Sequence, residues 1–214
     1  MNREPVTLYG DSFWISPYVF TSYVALREKG VPFDYEEVPL HQGGQHATAF
    51  RDGSLTGRVP ALRHGDFWLA ESSAIAEYVD EAFPGPALLP KDLRARARAR
   101  QLMAWIRSDL MPIREERSTT TMFYGRATAP LSHAGVQAAA KLERVAKALV
   151  PADGGDLFGA WCVADSDLAF MLHRLILNGD PLDARVKQWA ERQWRRPTVQ
   201  EFIARDRPTY VPYG

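Results

Sequence analysis

The sequence predicts a mixed α/β domain over residues 1–83, with elements in the order β-α-β-α-β-β-α, then a linker over 84–91 and an all-helical domain over 92–214. Three observations predict it. Short β-prone runs alternate with helical stretches up to residue 83. Phe83-Pro84-Gly85-Pro86 then breaks the chain. Beyond the break, apolar residues recur almost wholly at helical spacing.

Val6-Thr7-Leu8-Tyr9 is β-prone and makes the first strand. After Gly10-Asp11-Ser12 a helix runs from about residue 17, closed by Gly30 as a C-terminal cap and Pro32 as a breaker. Residues 33–38 alternate imperfectly and stop at Pro39, which makes a second strand. A loop rich in Gly and His continues to Arg58, with one helical turn at residues 47–51. Residues 59–63 and 67–70 flank His64-Gly65-Asp66, a tight hairpin turn, and Ile75, Tyr78, Val79 and Ala82 mark the inner face of a helix. A small mixed sheet with helices packed on it follows from that order, and the arrangement is thioredoxin-like. In the second half, Leu93, Ala97, Leu102, Trp105, Ile106 and Leu110 carry a helical seam, with Pro112 ending or kinking the helix. Further helices are expected at 131–149, 164–177 and 182–193, with a short one after Pro197.

The 214 residues carry 26 Lys plus Arg against 26 Asp plus Glu. A formal charge of zero gives no field to gather polyanions, so nucleic acid is not an expected partner. Arg94, Arg96, Arg98 and Arg100 alternate with alanines and read as a solvated helix surface. The longest uncharged run, residues 12–26, is too short and too polar for a membrane span, and the N-terminal residues lack the apolar core of a signal peptide. The single cysteine excludes an internal disulfide, and a reducing cytoplasm is the expected compartment. His41, His46, His64, His133 and His173 show no metal-ligand spacing, so no metal is expected.

The layout, together with specific residues, resembles the cytosolic glutathione transferases. Gly57-Arg58-Val59-Pro60-Ala61-Leu62 resembles the family's loop and strand with its cis-proline. Residues 69–78 resemble the segment holding the γ-glutamyl end of glutathione, and Ser16-Pro17-Tyr18 stands where serine-type members carry the thiol-activating hydroxyl. Trp161-Cys162-Val163-Ala164-Asp165 is similar to the helix-starting box, and Arg196-Pro197-Thr198-Val199 to the C-terminal signature. Residues 71–78, 97–101 and 108–117 closely resemble the bacterial YfcF-type subgroup.

What the resemblance implies is a glutathione S-transferase acting on small hydrophobic electrophiles, with peroxide reduction as a side activity, and a homodimer. Such an enzyme holds the ends of the tripeptide and ionises its thiol. Free amides where strand passes to helix at Glu71-Ser72, with the Ser72 hydroxyl, suit the γ-glutamyl carboxylate, and Glu71 suits the amine. The same residues also read as an ordinary helix start. A cis bond before Pro60 turns the Val59 amide and carbonyl toward the cysteinyl part of the tripeptide, while Arg58 is either a partner of the glycyl carboxylate or an exposed loop arginine. Ser16 before Pro17 is both N-cap and donor to the sulfur, with Ser12 and Tyr9 as rivals. Trp14, Tyr18, Trp105, Met111, Phe123 and Tyr124 are candidates for an apolar wall receiving the electrophile, though aromatics at helical spacing are commonly core.

Two other functions compete. A disulfide reductase of this layout carries a cysteine at the start of the first helix, and residues 10–18 have none. A non-catalytic binding module shares the fold without the chemistry. Cys162 takes the place where the family usually has Ser or Thr as a helix cap. It is expected to be buried and structural, with Asp165 supporting the turn.

Overall fold

The computed structural model describes residues 4–212. By internal packing the chain forms two units, one of residues up to Leu88 together with those from Gln200 onward, the other of Leu89–Val199. The first begins with strand β1 (Val6–Asp11), helix α1 (Pro17–Lys29) and strand β2 (Asp34–Val38). Short 3-10 turns at Leu40–Gln42 and Gly44–His46 lead to α2 (Thr48–Ser54), and the hairpin β3 (Ala61–His64) and β4 (Phe67–Ala70) leads into α3 (Ser72–Ala82). Where the sequence suggested a single turn at 47–51, α2 extends to Ser54, with Phe50 in a cluster with Tyr9, Val38 and Ala61.

Sheet order is β2-β1-β3-β4, with β1 parallel to β2 and antiparallel to β3, and β3 antiparallel to β4. β1 is buried along its whole length, because it is central in the sheet and both its faces are covered. A Cβ at Gly10 would run into the ring end of Tyr35, whose hydroxyl donates to the Asp11 carbonyl at 3.0 Å, so any side chain there displaces that contact. α1 packs on α3 and ends at Gly30, in the left-handed conformation. Buried Lys29 donates through Nζ to Asp80 Oδ1 at 2.9 Å, and the same oxygen accepts Leu88 N–H at 2.8 Å. One carboxylate thus ties α1 and α3 to Leu88 in the linker.

The described residues from 200 to 212, expected with the helical domain, group with the α/β unit instead. The reason is aromatic: Phe202 is fully buried and meets Phe20, Tyr23 and Trp14 edge-on at 5.5, 5.6 and 5.5 Å.

The second unit contains α4 (Leu93–Ser108), α5 (Met111–Glu116), α6 (Thr119–Phe123), α7 (His133–Leu149), α8 (Val163–Ile176) and α9 (Ala184–Trp194), with α10 (Pro197–Ile203) crossing out of it. Pro112 falls in the first turn of α5, where a missing N–H costs nothing. Leu93, expected on the seam of α4, is 80% exposed; burial on this helix begins at Ala99, Leu102 and Met103. α8 is buried from Val163 to Leu175 and packs against α4, α5, α6, α7 and α9, so it is the core of the bundle. Among the described residues no helix is long and apolar enough to cross a membrane.

Two buried titratable groups sit on α8. Asp165 Oδ2 accepts the Cys162 N–H at 3.0 Å and the thiol at 3.3 Å, and its Oδ1 accepts Leu157 N–H at 2.9 Å, so the acid caps a helix whose N-cap is cysteine. Burial raises its pKa to about 6, against the pull of those N–H donors. His173 is 2% exposed and stacked on Trp194 at 3.9 Å; its Nδ1 faces the Ala169 carbonyl at 2.7 Å and therefore carries the proton. Burial lowers its pKa to about 4.

The two groups oppose each other in acid. A His depressed from 6.5 to about 4 loses the fold stability as pH falls through that window, whereas an Asp raised from 3.8 to about 6 costs stability as pH rises through its own. Replacing His173 by Phe keeps the stack and removes the first effect. Relative to wild type, His173→Phe should therefore gain about 3 kcal/mol between pH 7 and pH 4, read from urea unfolding at each pH. A difference that does not change with pH contradicts a neutral, buried His173.

Candidate functional site

In the sheet register Tyr9 pairs with Ala61, and Ala61 with Ala70. The C-terminal ends of β1 and β4 and the start of β3 therefore lie side by side at one end of the sheet. The segments 12–16, 58–60 and 71–72, which the sequence singled out separately, all leave or enter the sheet at that end.

Ser16 is the N-cap of α1, with φ −67° and ψ 121°, and its Oγ accepts Val19 N–H at 3.3 Å. Accepting uses a lone pair, so the hydroxyl proton remains available for donation to an anion beside the helix start. The preceding loop is built on Asp11, whose wholly buried carboxylate accepts Ile15 N–H at 2.9 Å and Ser16 N–H at 3.1 Å. Burial raises the pKa of Asp11, while those two N–H groups and Arg207 favour its charged form. Of the rivals to Ser16, the Ser12 Oγ is buried without a hydrogen-bond partner. Tyr9 stacks on Trp68 at 4.8 Å within the cluster of Val38, Phe50 and Ala61, and burial raises its pKa. Ser16 is half-buried, with its Oγ at the start of α1.

The Val59–Pro60 bond is cis, as the resemblance implied. Pro60 is buried, Val59 half-buried, and Arg58 exposed. Glu71 is the N-cap of α3 and has φ 71° and ψ 114°, a left-handed conformation for a non-glycine residue. Its side chain is not used as a cap, and the residue is exposed. Ser72, 3% exposed, is the first residue of the helix, so the first-turn amides, which have no acceptor within the helix, begin here.

The candidates for an apolar wall scatter. Trp14 is buried rather than open: it stacks on Tyr35 at 3.8 Å, its Nε1 donates to Glu37 at 3.2 Å, and the Arg205 guanidinium lies 3.9 Å over the ring. Tyr18 is half-buried on α1. In the helical unit Trp105 donates to Asp109 at 2.8 Å and lines a groove of about 570 Å³ between α4 and α7, while Phe123 packs 6.3 Å from Phe170. Tyr124 follows it half-buried, and Met111 is exposed at the start of α5. Cys162 is buried, and burial together with Asp165 pushes its thiol pKa up, so it does not supply a nucleophile. Among the described residues no group of His, Cys, Asp and Glu is assembled to hold a metal ion.

Sequence reasoning missed Asp11 and Arg207. An acid five residues before Ser-Pro, at the end of a β-run, was a usable signal for the first. For Arg207, nothing in the sequence tells which carbonyls it meets.

Family models described as the N-terminal and C-terminal domains of glutathione S-transferase match residues 15–82 and 92–207. The solved structure of a glutathione transferase homologue from Burkholderia strain BGR1, with bound glutathione, is 42% identical, covers 94% of this chain and 97% of its own, and superposes with a TM-score of 0.77. Glutathione S-transferase Z1 of Arabidopsis thaliana is 38% identical over 110 residues, 51% of this chain and 49% of the relative. Maleylpyruvate isomerase of Ralstonia sp. is 39% identical over 106 residues, 50% of each. The chain thus spans about half the length of these two curated relatives.

The backbone at Glu71 generates a prediction. Glycine takes positive φ without a Cβ penalty, so Glu71→Gly should raise stability to urea by about 1 kcal/mol. Unchanged or lowered stability contradicts strain at this position.

Proposed function

The chain belongs to the glutathione S-transferase family, and on that premise we propose that it binds glutathione, stabilises its thiolate and transfers it to small hydrophobic electrophiles, with peroxide reduction as a side activity. The observation that carries this reading is the convergence of Ser16, Val59–Pro60 and Glu71–Ser72 at one end of the sheet. The α/β domain holds the tripeptide. Glu71 takes the amine, the first-turn amides of α3 with Ser72 take the γ-glutamyl carboxylate, Val59 pairs with the cysteinyl backbone, and Arg58 meets the glycyl carboxylate. The Ser16 hydroxyl and the α1 N-terminus favour the thiolate over the thiol. On attack the carbon–sulfur bond forms as the bond to the leaving group breaks, with the thiol proton already released to solvent. No covalent bond to the enzyme is required.

Within the helical unit Trp105, Met111, Phe123 and Tyr124 are the residues offered to the acceptor; in the α/β unit Tyr18 is the remaining one, and Trp14 serves only through its packing on Tyr35. We assign the protein to the YfcF-type subgroup, a homodimeric state and the cytoplasm on the resemblance and on its single, buried cysteine. A reductase acting through an enzyme thiol is disfavoured by the elevated thiol pKa of Cys162. A non-catalytic module gives no reason for a strained, exposed Glu71.

Titrating glutathione into the protein across pH, with thiolate absorbance as readout, tests the assignment. Wild type should bind saturably with a thiol pKa below that of free glutathione. Glu71→Ala should weaken binding by about tenfold or more, and Ser16→Ala should return the pKa toward the free value. No binding by wild type sinks the transferase reading, and a lowered pKa persisting in Ser16→Ala moves the activating role elsewhere.

A further inference from the structure

We propose that Arg207, in the segment that follows α10, is a positioning residue for Ser16: its guanidinium clamps the Trp14 carbonyl and so fixes the loop that presents the activating hydroxyl. The inference rests on the function proposed above and names a residue that acts through another.

The loop from Asp11 to Ser16 is held from two sides. From inside, the Asp11 carboxylate accepts the Ile15 and Ser16 N–H groups, and the Asp11 carbonyl accepts Trp14 N–H at 3.2 Å. From outside, Arg207 Nε and Nη2 both donate to the Trp14 carbonyl, at 3.2 and 3.1 Å. The same guanidinium reaches the end of α10, with Nη1 donating to the Ile203 and Arg205 carbonyls at 2.9 Å each and Nη2 to Phe202 at 3.2 Å. A planar fork thus joins one loop carbonyl to three carbonyls at a helix C-terminus, where a cation is favoured. The carbonyl it grips needs gripping. Trp14 has φ 54°, a left-handed conformation that surrounding contacts must maintain, and its ring is held between Tyr35 at 3.8 Å and Arg205 at 3.9 Å.

Arg207 is also a countercharge. Its charge favours the ionised form of the buried Asp11, against the larger opposing effect of burial and alongside the Ile15 and Ser16 N–H groups that the carboxylate accepts. The fork therefore supports the outer carbonyl directly and the inner clamp through its charge. Removing it frees Trp14, then Ile15 and Ser16, while the segments carrying Val59, Glu71 and Ser72 enter from other strands and are untouched. The consequence is a split: the thiolate suffers and tripeptide binding does not.

Arg207→Ala and Arg207→Lys test this against wild type, with calorimetric affinity for glutathione, thiol pKa of the bound form, conjugation of 1-chloro-2,4-dinitrobenzene and thermal unfolding as readouts. Lysine keeps the charge but not the fork. Expected for Arg207→Ala is a bound thiol pKa about one unit higher and a conjugation rate lower by about tenfold to a hundredfold at neutral pH, with affinity within about twofold of wild type. Arg207→Lys should fold and fall between the two; should Arg207→Ala fail to fold, the lysine variant carries the test through the same shift. Variants that ionise glutathione and turn over like wild type overturn the clamp and leave the transferase reading intact. Loss of affinity and rate together, in step with lowered unfolding temperature, also overturns it in favour of a purely structural arginine. A wild type that does not bind glutathione overturns the function and the clamp with it.

Discussion

A carboxylate with no access to water must find donors, and Asp11 finds them in the backbone of the loop it begins. That constraint orders the site. It bends residues 12–15 back over the end of β1, places Ser16 at the head of α1, and leaves Ser16 to cap the helix with a lone pair while its proton stays available for donation. Tyr35, from the neighbouring parallel strand, closes on the Asp11 carbonyl in the space that Gly10 leaves open. Without the buried acid, Ser16 is a cap on a loosely held loop; with it, the hydroxyl has a fixed position relative to the ends of β3 and β4.

The rest of the site follows from sheet register. Antiparallel pairing of β1 with β3 and β3 with β4 brings the cis-proline and the strand-to-helix passage at Glu71 to the same end as Ser16. Each segment offers a different kind of group: a hydroxyl at a helix start, strand-like backbone, and first-turn helix amides beside an exposed carboxylate. A γ-linked tripeptide with a thiol in the middle and charges at both ends calls for that set. Glu71 holds a positive φ at an exposed position, a conformation that the proposed binding role accounts for and stability does not.

Much of this was legible in the chain because it is local. Gly30 and Pro32 stop α1, Gly65 turns the hairpin, and Ser16-Pro17 starts a helix, each by chemistry confined to a few residues. Resemblance supplied the cis bond, which the structure has, and the roles proposed for residues 58–60 and 71–72. What stayed hidden depends on distant partners. Trp14 reads as a free aromatic until Tyr35 and Arg205 cover it, and Leu93 reads as core until the helix shows its first turn exposed. The last residues read as part of the helical domain because their spacing is helical; aromatic burial of Phe202 takes them to the other unit.

The central claim is that the sulfur of glutathione sits against the Ser16 hydroxyl at the end of the sheet. A crystal structure of the protein with glutathione tests it most directly. The account predicts the sulfur within about 3.5 Å of Ser16 Oγ, with the γ-glutamyl group at Glu71 and Ser72. A sulfur resting against Ser12 or Tyr9, or a tripeptide bound away from residues 59 and 71, would contradict it.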